Sequence, residues 1–195
     1  DDFGTIAEPF VKQEEDIALF QHRPHPKTYV DLDRVRQDYA AMGDRCWAMA
    51  SFASAWTLAS FFRGPDTIMY DLYDRPAWVK RFLTLLTEYQ VELIREIARA
   101  GVDVTLRMDA SFVGFGLSRG MYAEFLKPQD ARIVQVAHDL GLRVHLHICG
   151  KKNAFLEDLA DTGIDALETL TPESAAGDVN LADAKRRIGE RVCLM

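Results

Sequence analysis

The 195-residue chain is 48% hydrophobic and 27% charged, carries a formal net charge of −7 and contains three cysteines, the make-up of one globular domain with apolar material for a sizeable core. The acidic balance leaves no surplus of Lys and Arg to neutralise phosphates, and no apolar run approaches the ~20 residues of a membrane span, so nucleic acid and membrane are excluded as expected partners. Asp1 to Glu15 lack the basic-then-apolar order of a secretion signal, and Cys46, Cys149 and Cys193 are widely spaced with no CxxC, so the expectation is a cytoplasmic protein whose thiols are free or bind metal.

In chain order, Asp1 to Leu32 shows no period, and Arg23-Pro24-His25-Pro26 breaks any regular element; the segment reads as an extended loop packed over one face, with His22 and His25 as surface residues. From there one junction repeats five times: a helical segment stops at a glycine and an apolar, strand-like run follows. Gly43 precedes Cys46 to Ser51, Gly101 precedes Val102 to Met108, Gly141 precedes Arg143 to Ile148, Gly163 precedes Ala166 to Leu170, and Gly189 precedes Arg191 to Met195. Glycine suits the position after a helix because it takes the left-handed conformation without a Cβ clash. Between the first two strands, Val79, Phe82, Leu83, Leu86, Leu93, Ile94 and Ile97 recur at helical spacing with charged residues interleaved, which predicts a helix from Pro76 to Ala100 with proline in its first turn. Shorter helices are expected after Pro128, over Asn153 to Asp161, and over Leu181 to Ile188 with Asn180 as N-cap. Cys46 and Cys193, inside strands, read as buried small hydrophobes.

Alternating helices and strands joined by short turns predict a parallel sheet with helical crossovers. No GxGxxG or GxxxxGK[ST] follows any strand, which favours a (β/α)8 barrel over an open doubly wound sheet. The fold class is therefore α/β, with residues 1–195 as a single domain of about five β/α units. A whole barrel takes about 250 residues and eight strands, so both ends read as truncated.

The chemistry concentrates in Arg143-Val144-His145-Leu146-His147-Ile148-Cys149-Gly150. Side chains alternate along a strand, so His145, His147 and Cys149 share one face, with His147 and Cys149 at the C-terminal end where barrel enzymes build their sites. Imidazole and thiolate are good zinc donors, and two residues apart on a strand they can reach one ion; the alternative is a polar patch in the barrel interior. His145, two residues deeper, lies too far down to join them. Glu168, at the equivalent end of the next strand, reads as a third zinc ligand, a general base, or a rim residue paired with an arginine. Asp109 ends its strand and begins a loop, Asp109 to Gly116, that contains two glycines and two phenylalanines; it reads as a substrate contact or as the cap of that loop.

Trp56-Thr57-Leu58-Ala59-Ser60-Phe61-Phe62-Arg63-Gly64, Tyr70 to Pro76, and Phe125-Leu126-Lys127-Pro128 resemble segments of the uroporphyrinogen decarboxylase superfamily. His147-Ile148-Cys149-Gly150, Gly163 to Leu167 and Gly189 to Met195 are similar to its methylcobamide:thiol methyltransferase branch. The resemblance implies zinc bound by His147 and Cys149, with Glu168 as a further ligand and a last cysteine donor beyond Met195. It also implies a corrinoid, free or on a partner protein, as methyl carrier and a small thiol as substrate. Glu168 and Asp109 are the implied catalytic carboxylates, Glu168 holding the metal or assisting loss of the thiol proton. Two departures matter. Phe61 stands where the decarboxylases have a tyrosine hydroxyl, and Arg119 replaces a proline after Ser118. The alternatives are tetrapyrrole decarboxylation and a barrel that binds without catalysis.

Overall fold

Five short runs in which aliphatic and polar residues alternate form one sheet in the computed structural model, which describes residues 8–45 and 47–195. The strands are β1 (Met49–Ala53), β2 (Thr105–Asp109), β3 (Arg143–His147), β4 (Ala166–Glu168) and β5 (Cys193–Leu194). They lie in the order β1-β2-β3-β4-β5 and every pairing is parallel, as expected of consecutive β/α units. The arrangement is a partial (β/α)8 barrel.

Register divides the sheet into two faces. Phe52, Met108, Leu146 and Leu167 form one row, all buried, and Leu106 and Val144 another, and both rows pack into the hydrophobic core. The opposite face carries Ser51, Arg107, His145, Ala166 and Cys193 in one row, and Ala53, Asp109, His147 and Glu168 in the row nearest the C-terminal ends. Cys193 is exposed, not the buried small hydrophobe expected: strand parity puts it on the polar face, on a two-residue strand paired on one side only. Cys46 lies outside the described residues.

The helices form for legible local reasons. Helix α1 (Leu32–Met42) is capped by the Asp31 side chain, which accepts from Arg34 N at 2.9 Å. Ser54 Oγ accepts from Thr57 N at 3.1 Å and starts α2 (Ala55–Arg63). Prolines occupy the first turns of α3 (Pro65–Asp74) and α4 (Pro76–Ala98), where the missing N–H leaves no bond unmade. Helix α4 buries Val79, Phe82, Leu83, Leu86 and Ile94 completely, the predicted stripe, and ends two residues before the predicted boundary. A turn, α5 (Arg119–Met121), runs through a π-helical segment (Tyr122–Leu126) into α6 (Lys127–Asp139). Helices α7 (Leu156–Asp161) and α8 (Leu181–Ile188) follow, and Asn180 caps α8 by accepting from Asp183 N at 3.0 Å.

Gly101 and Gly141 take φ of +68° and +75°, the left-handed stop expected. Gly189 does not: its φ is −71°, and glycine serves there because a Cβ would sit 2.6 Å from the Lys185 carbonyl oxygen.

The segment before α1 is not an extended loop. It forms 3-10 turns over Glu14–His22 and Pro26–Thr28, with His22 and His25 exposed and His25 Nδ1 accepting from Lys27 N at 3.1 Å. The Arg63 guanidinium anchors the chain just upstream. Its Nε donates to Asp71 Oδ2 at 2.7 Å, its Nη1 donates to Val11 O at 3.1 Å and to Lys12 O, and it lies over the Trp78 ring.

Asp130 on α6 is buried and accepts from the Tyr122 hydroxyl at 2.9 Å. Burial pushes its carboxyl up to about 7, only partly opposed by that hydrogen bond. A carboxyl raised on folding favours the folded state at low pH, and that contribution is lost as pH rises from the unfolded value near 4 towards 7. Asp130→Asn keeps an acceptor for Tyr122 without the charge. In urea melts its stability relative to wild type should therefore rise by about 1 kcal/mol per pH unit across that window; parallel pH profiles for the two proteins would refute the assignment.

Candidate metal centre and active-face cleft

His147 is the last residue of β3, and Cys149 follows after Ile148 turns into the core. Cys149 Sγ lies 3.2 Å from His147 Nε2. The other ring nitrogen, Nδ1, contacts Glu168 Oε1 and lies 2.9 Å from Thr169 Oγ1. An ionised carboxylate only accepts, so the proton belongs on Nδ1, and the Nε2 lone pair faces the sulfur.

Glu168 is held from the far side as well. Arg107 Nε donates to its Oε1 at 2.8 Å, and Arg107 Nη1 reaches Asp109 Oδ2 at 3.4 Å. Burial works against the charge on Glu168, but the hydrogen bond from Arg107 and the guanidinium charge beside it outweigh it and hold the carboxyl below its ordinary value. Asp109 behaves alike: burial raises its carboxyl, while bonds from Ser111 and the charge of Arg107 lower it further. Both are anions at neutral pH.

The structure thus brings His147, Cys149, Glu168 and Asp109 to one end of the sheet. Among the described residues, however, no three His, Cys, Asp or Glu side chains converge to hold an ion. Glu168 meets the imidazole at Nδ1, across the ring from Cys149 Sγ, and pairs with Arg107 at the rim. Asp109 ends β2 and caps the following loop, its Oδ1 accepting from Ser111 N at 3.0 Å, and it also lines the cleft described below. His145 sits one row deeper and is 2% exposed. Its Nε2 is 2.8 Å from Glu168 Oε2, yet the alignment makes no hydrogen bond and both ring nitrogens are unpartnered.

Beside the pair lies a cleft of about 880 Å³, whose walls include Phe61, Phe112 and Phe115 and whose polar groups include Asp109, Ser111 and Cys149. Phe61 and Phe112 meet edge to face at 5.4 Å. The loop after β2 folds as a 3-10 turn, Ser111–Gly114, and its tip presses on the chain at Cys149, just past β3. A Cβ on Gly114 would lie 1.8 Å from the Cys149 carbonyl oxygen, and Lys151 N donates to Gly114 O at 3.2 Å. Backbone meets backbone there, so neither side can rotate away. Gly114→Ala should displace the loop and deform the cleft, costing roughly 1–3 kcal/mol as an overpacked core position does. Unchanged melting and unchanged Cys149 alkylation would contradict this close approach. Arg119 does not disturb the helix start: Ser118 Oγ still accepts from Met121 N at 3.2 Å, and Arg119 Nε pairs with Asp158 at 2.6 Å.

Three residues of the site went unread in the sequence. Arg107 was discoverable by parity, since it shares the face of His145 and His147. Thr169, just past β4, takes φ +64°, a conformation β-branched residues seldom adopt; no local pattern announces it. Lys152 is completely buried, which its type argues against.

Among the described residues no helix is long and apolar enough to cross a membrane. Residues 3–195 match the family model described as uroporphyrinogen decarboxylase (URO-D). A methylcobamide:CoM methyltransferase of Methanosarcina barkeri is 29% identical over 142 residues, 68% of this chain and 40% of that protein. A uroporphyrinogen decarboxylase of Cupriavidus necator is 32% identical over 151 residues, 72% of this chain and 39% of that protein. A solved methyltransferase from Methanosarcina mazei superposes with a TM-score of 0.69 at 22% identity, covering 84% of this chain and 46% of its own. The chain therefore spans about two fifths to one half of these relatives.

Proposed function

The chain belongs to the uroporphyrinogen decarboxylase family, whose members are enzymes, and we propose that it is the central portion of a zinc-dependent methyltransferase barrel that moves a methyl group between a corrinoid carrier and a thiol. The observation that carries this reading is the 3.2 Å approach of Cys149 Sγ to His147 Nε2 at the active face, with Nδ1 occupied by a carboxylate. Two donors at that separation suit neighbouring positions on a tetrahedral ion, and a carboxylate on the far nitrogen is what usually orients a metal-bound histidine. Zinc bound there, with donors supplied from elsewhere, would favour the thiolate form of a substrate thiol, the nucleophile in methyl transfer.

The chain's own residues divide the remaining work. Glu168 and Thr169 fix the tautomer and plane of His147. Arg107 keeps Glu168 ionised. Asp109, an anion on the cleft wall, would lie beside an incoming thiol, and the phenylalanine walls would keep water from it. Tetrapyrrole decarboxylation is disfavoured by Phe61, which offers the cleft a ring without a hydroxyl.

The intact protein of which this chain is proposed to be the central portion should carry about one zinc per barrel, and should demethylate methylcobalamin in the presence of a small thiol, read from the change in the corrinoid spectrum. Decarboxylation of uroporphyrinogen by metal-free protein would overturn the assignment in favour of the lyase. Inactivity in both assays would favour a binding role.

A further inference from the structure

We infer that Lys152 is a positioning residue that clamps the Cys149–Gly150 turn to Thr169 and so sets the geometry of the His147–Cys149 pair. Its side chain is completely buried. Nζ donates to Gly150 O at 3.0 Å, one residue past Cys149, and to Thr169 O at 2.6 Å, the carbonyl of the residue whose hydroxyl touches His147. The base of the side chain is tied down too, since Asp178 Oδ1 accepts from Lys152 N at 2.8 Å and from Asn153 N at 3.0 Å.

A buried ammonium is costly unless its protons are satisfied, so an ordinary packing role would be filled better by leucine or methionine. What the ammonium does that those cannot is join two carbonyls from different loops. One belongs to the turn that carries the sulfur. The other belongs to Thr169, held at φ +64°, where a β-branched residue is strained and persists only when its surroundings enforce it. Three bonds converge on the Thr169 carbonyl, from Lys152 Nζ, Thr171 N and Thr171 Oγ1. With the carbonyl fixed, the hydroxyl is aimed at His147 Nδ1. The lysine therefore touches neither donor atom yet bears on both.

The purpose of the clamp rests on the metal role proposed above, whereas its existence can be read in metal-free protein, so the two can fail separately. The protein has five histidines, and the His147 ring signals in a 15N-labelled, metal-free sample are identified by their loss in His147→Gln. In folded Lys152→Met those signals should move while the His138 signals stay. A purely structural lysine would lower the melting temperature and leave them in place, as Ile94→Ala in α4 is expected to do, and unmoved His147 signals in Lys152→Met overturn the inference. If Lys152→Met does not fold, Lys152→Met/Thr169→Gly is the deciding variant, because glycine holds the left-handed backbone without the clamp. Recovery of a cooperative melt supports the clamp, and failure to recover overturns it. With Co2+ as probe metal, Lys152→Met should bind about ten-fold more weakly, or worse, as loss of an outer-shell partner does, and equal binding counts against the clamp. If wild type binds no Co2+, the metal reading falls and the histidine spectra still decide the lysine.

Discussion

Cys149→Ala is expected to strip most of the zinc from the purified protein and to take methyl transfer with it. The sulfur faces the free lone pair of His147 at 3.2 Å, so its loss removes one of two donors placed together at the active face. The effect should be graded by distance from the ion. Glu168→Gln leaves both donors in place but cannot hold the imidazole proton as a carboxylate does, and should weaken metal binding by about 10–100-fold. Cys149→Ala should exceed that, and His147→Ala/Cys149→Ala should carry no zinc above background. Cys193→Ala, exposed on the polar face and one row deeper, should retain zinc in full. Metal analysis alone decides the matter: full zinc occupancy in the double variant would place the ion elsewhere, and His147 and Cys149 would revert to polar residues lining a barrel.

The second large effect is expected at the buried Arg63–Asp71 pair. Arg63→Ala removes a guanidinium that is 7% exposed and leaves Asp71, 5% exposed, without its main partner. Breaking a buried pair from one side costs about 3–5 kcal/mol, because the abandoned charge stays desolvated. At roughly 2–4 °C per kcal/mol for a chain of this size, the melting temperature should fall by roughly 6–20 °C. Arg75 Nε, 3.7 Å from Asp71 Oδ1, softens the loss. The same substitution frees the carbonyls of Val11 and Lys12, so the stretch including Pro9, which lines the cleft, should become protease-sensitive. Arg63→Met/Asp71→Leu should recover much of the stability, since an apolar pair of similar volume carries no stranded charge. An Arg63→Ala protein that melts with wild type would mean the guanidinium contributes nothing net.

Much of this was legible in the residues, and the division has physical reasons. Parity along Arg143 to Cys149 and the helical spacing of Val79 to Ile94 are local, so the sheet face of His147 and the buried stripe of α4 followed directly. Strand limits were less legible. Trp47, Ala48 and Val102 to Val104 look like strand, yet pairing extends only where a neighbour runs alongside, and β1 and β2 begin together at Met49 and Thr105. The position of Glu168 depended on Arg107, sixty-one positions away in sequence, which no motif spacing encodes. Lys152 and Thr169 were hidden for the same reason: each owes its conformation to loops that meet only once the sheet has formed.

The consecutive strand order also bears on how the molecule is made. Each strand pairs with the one synthesised just before it, and the helix between them supplies the cover. A β/α unit leaving the ribosome can dock on the edge already built, which keeps loop-closure entropy small at every step. Met49 finds Thr105, Arg107 finds His145, and Ala166 finds Cys193 in order of emergence. His147 ends the third strand of this series with Cys149 just beyond it, and their carboxylate neighbour Glu168 ends the fourth. A nascent chain therefore holds His147 and Cys149 before it holds Glu168, and the imidazole acquires its fixed tautomer only when the next unit has docked.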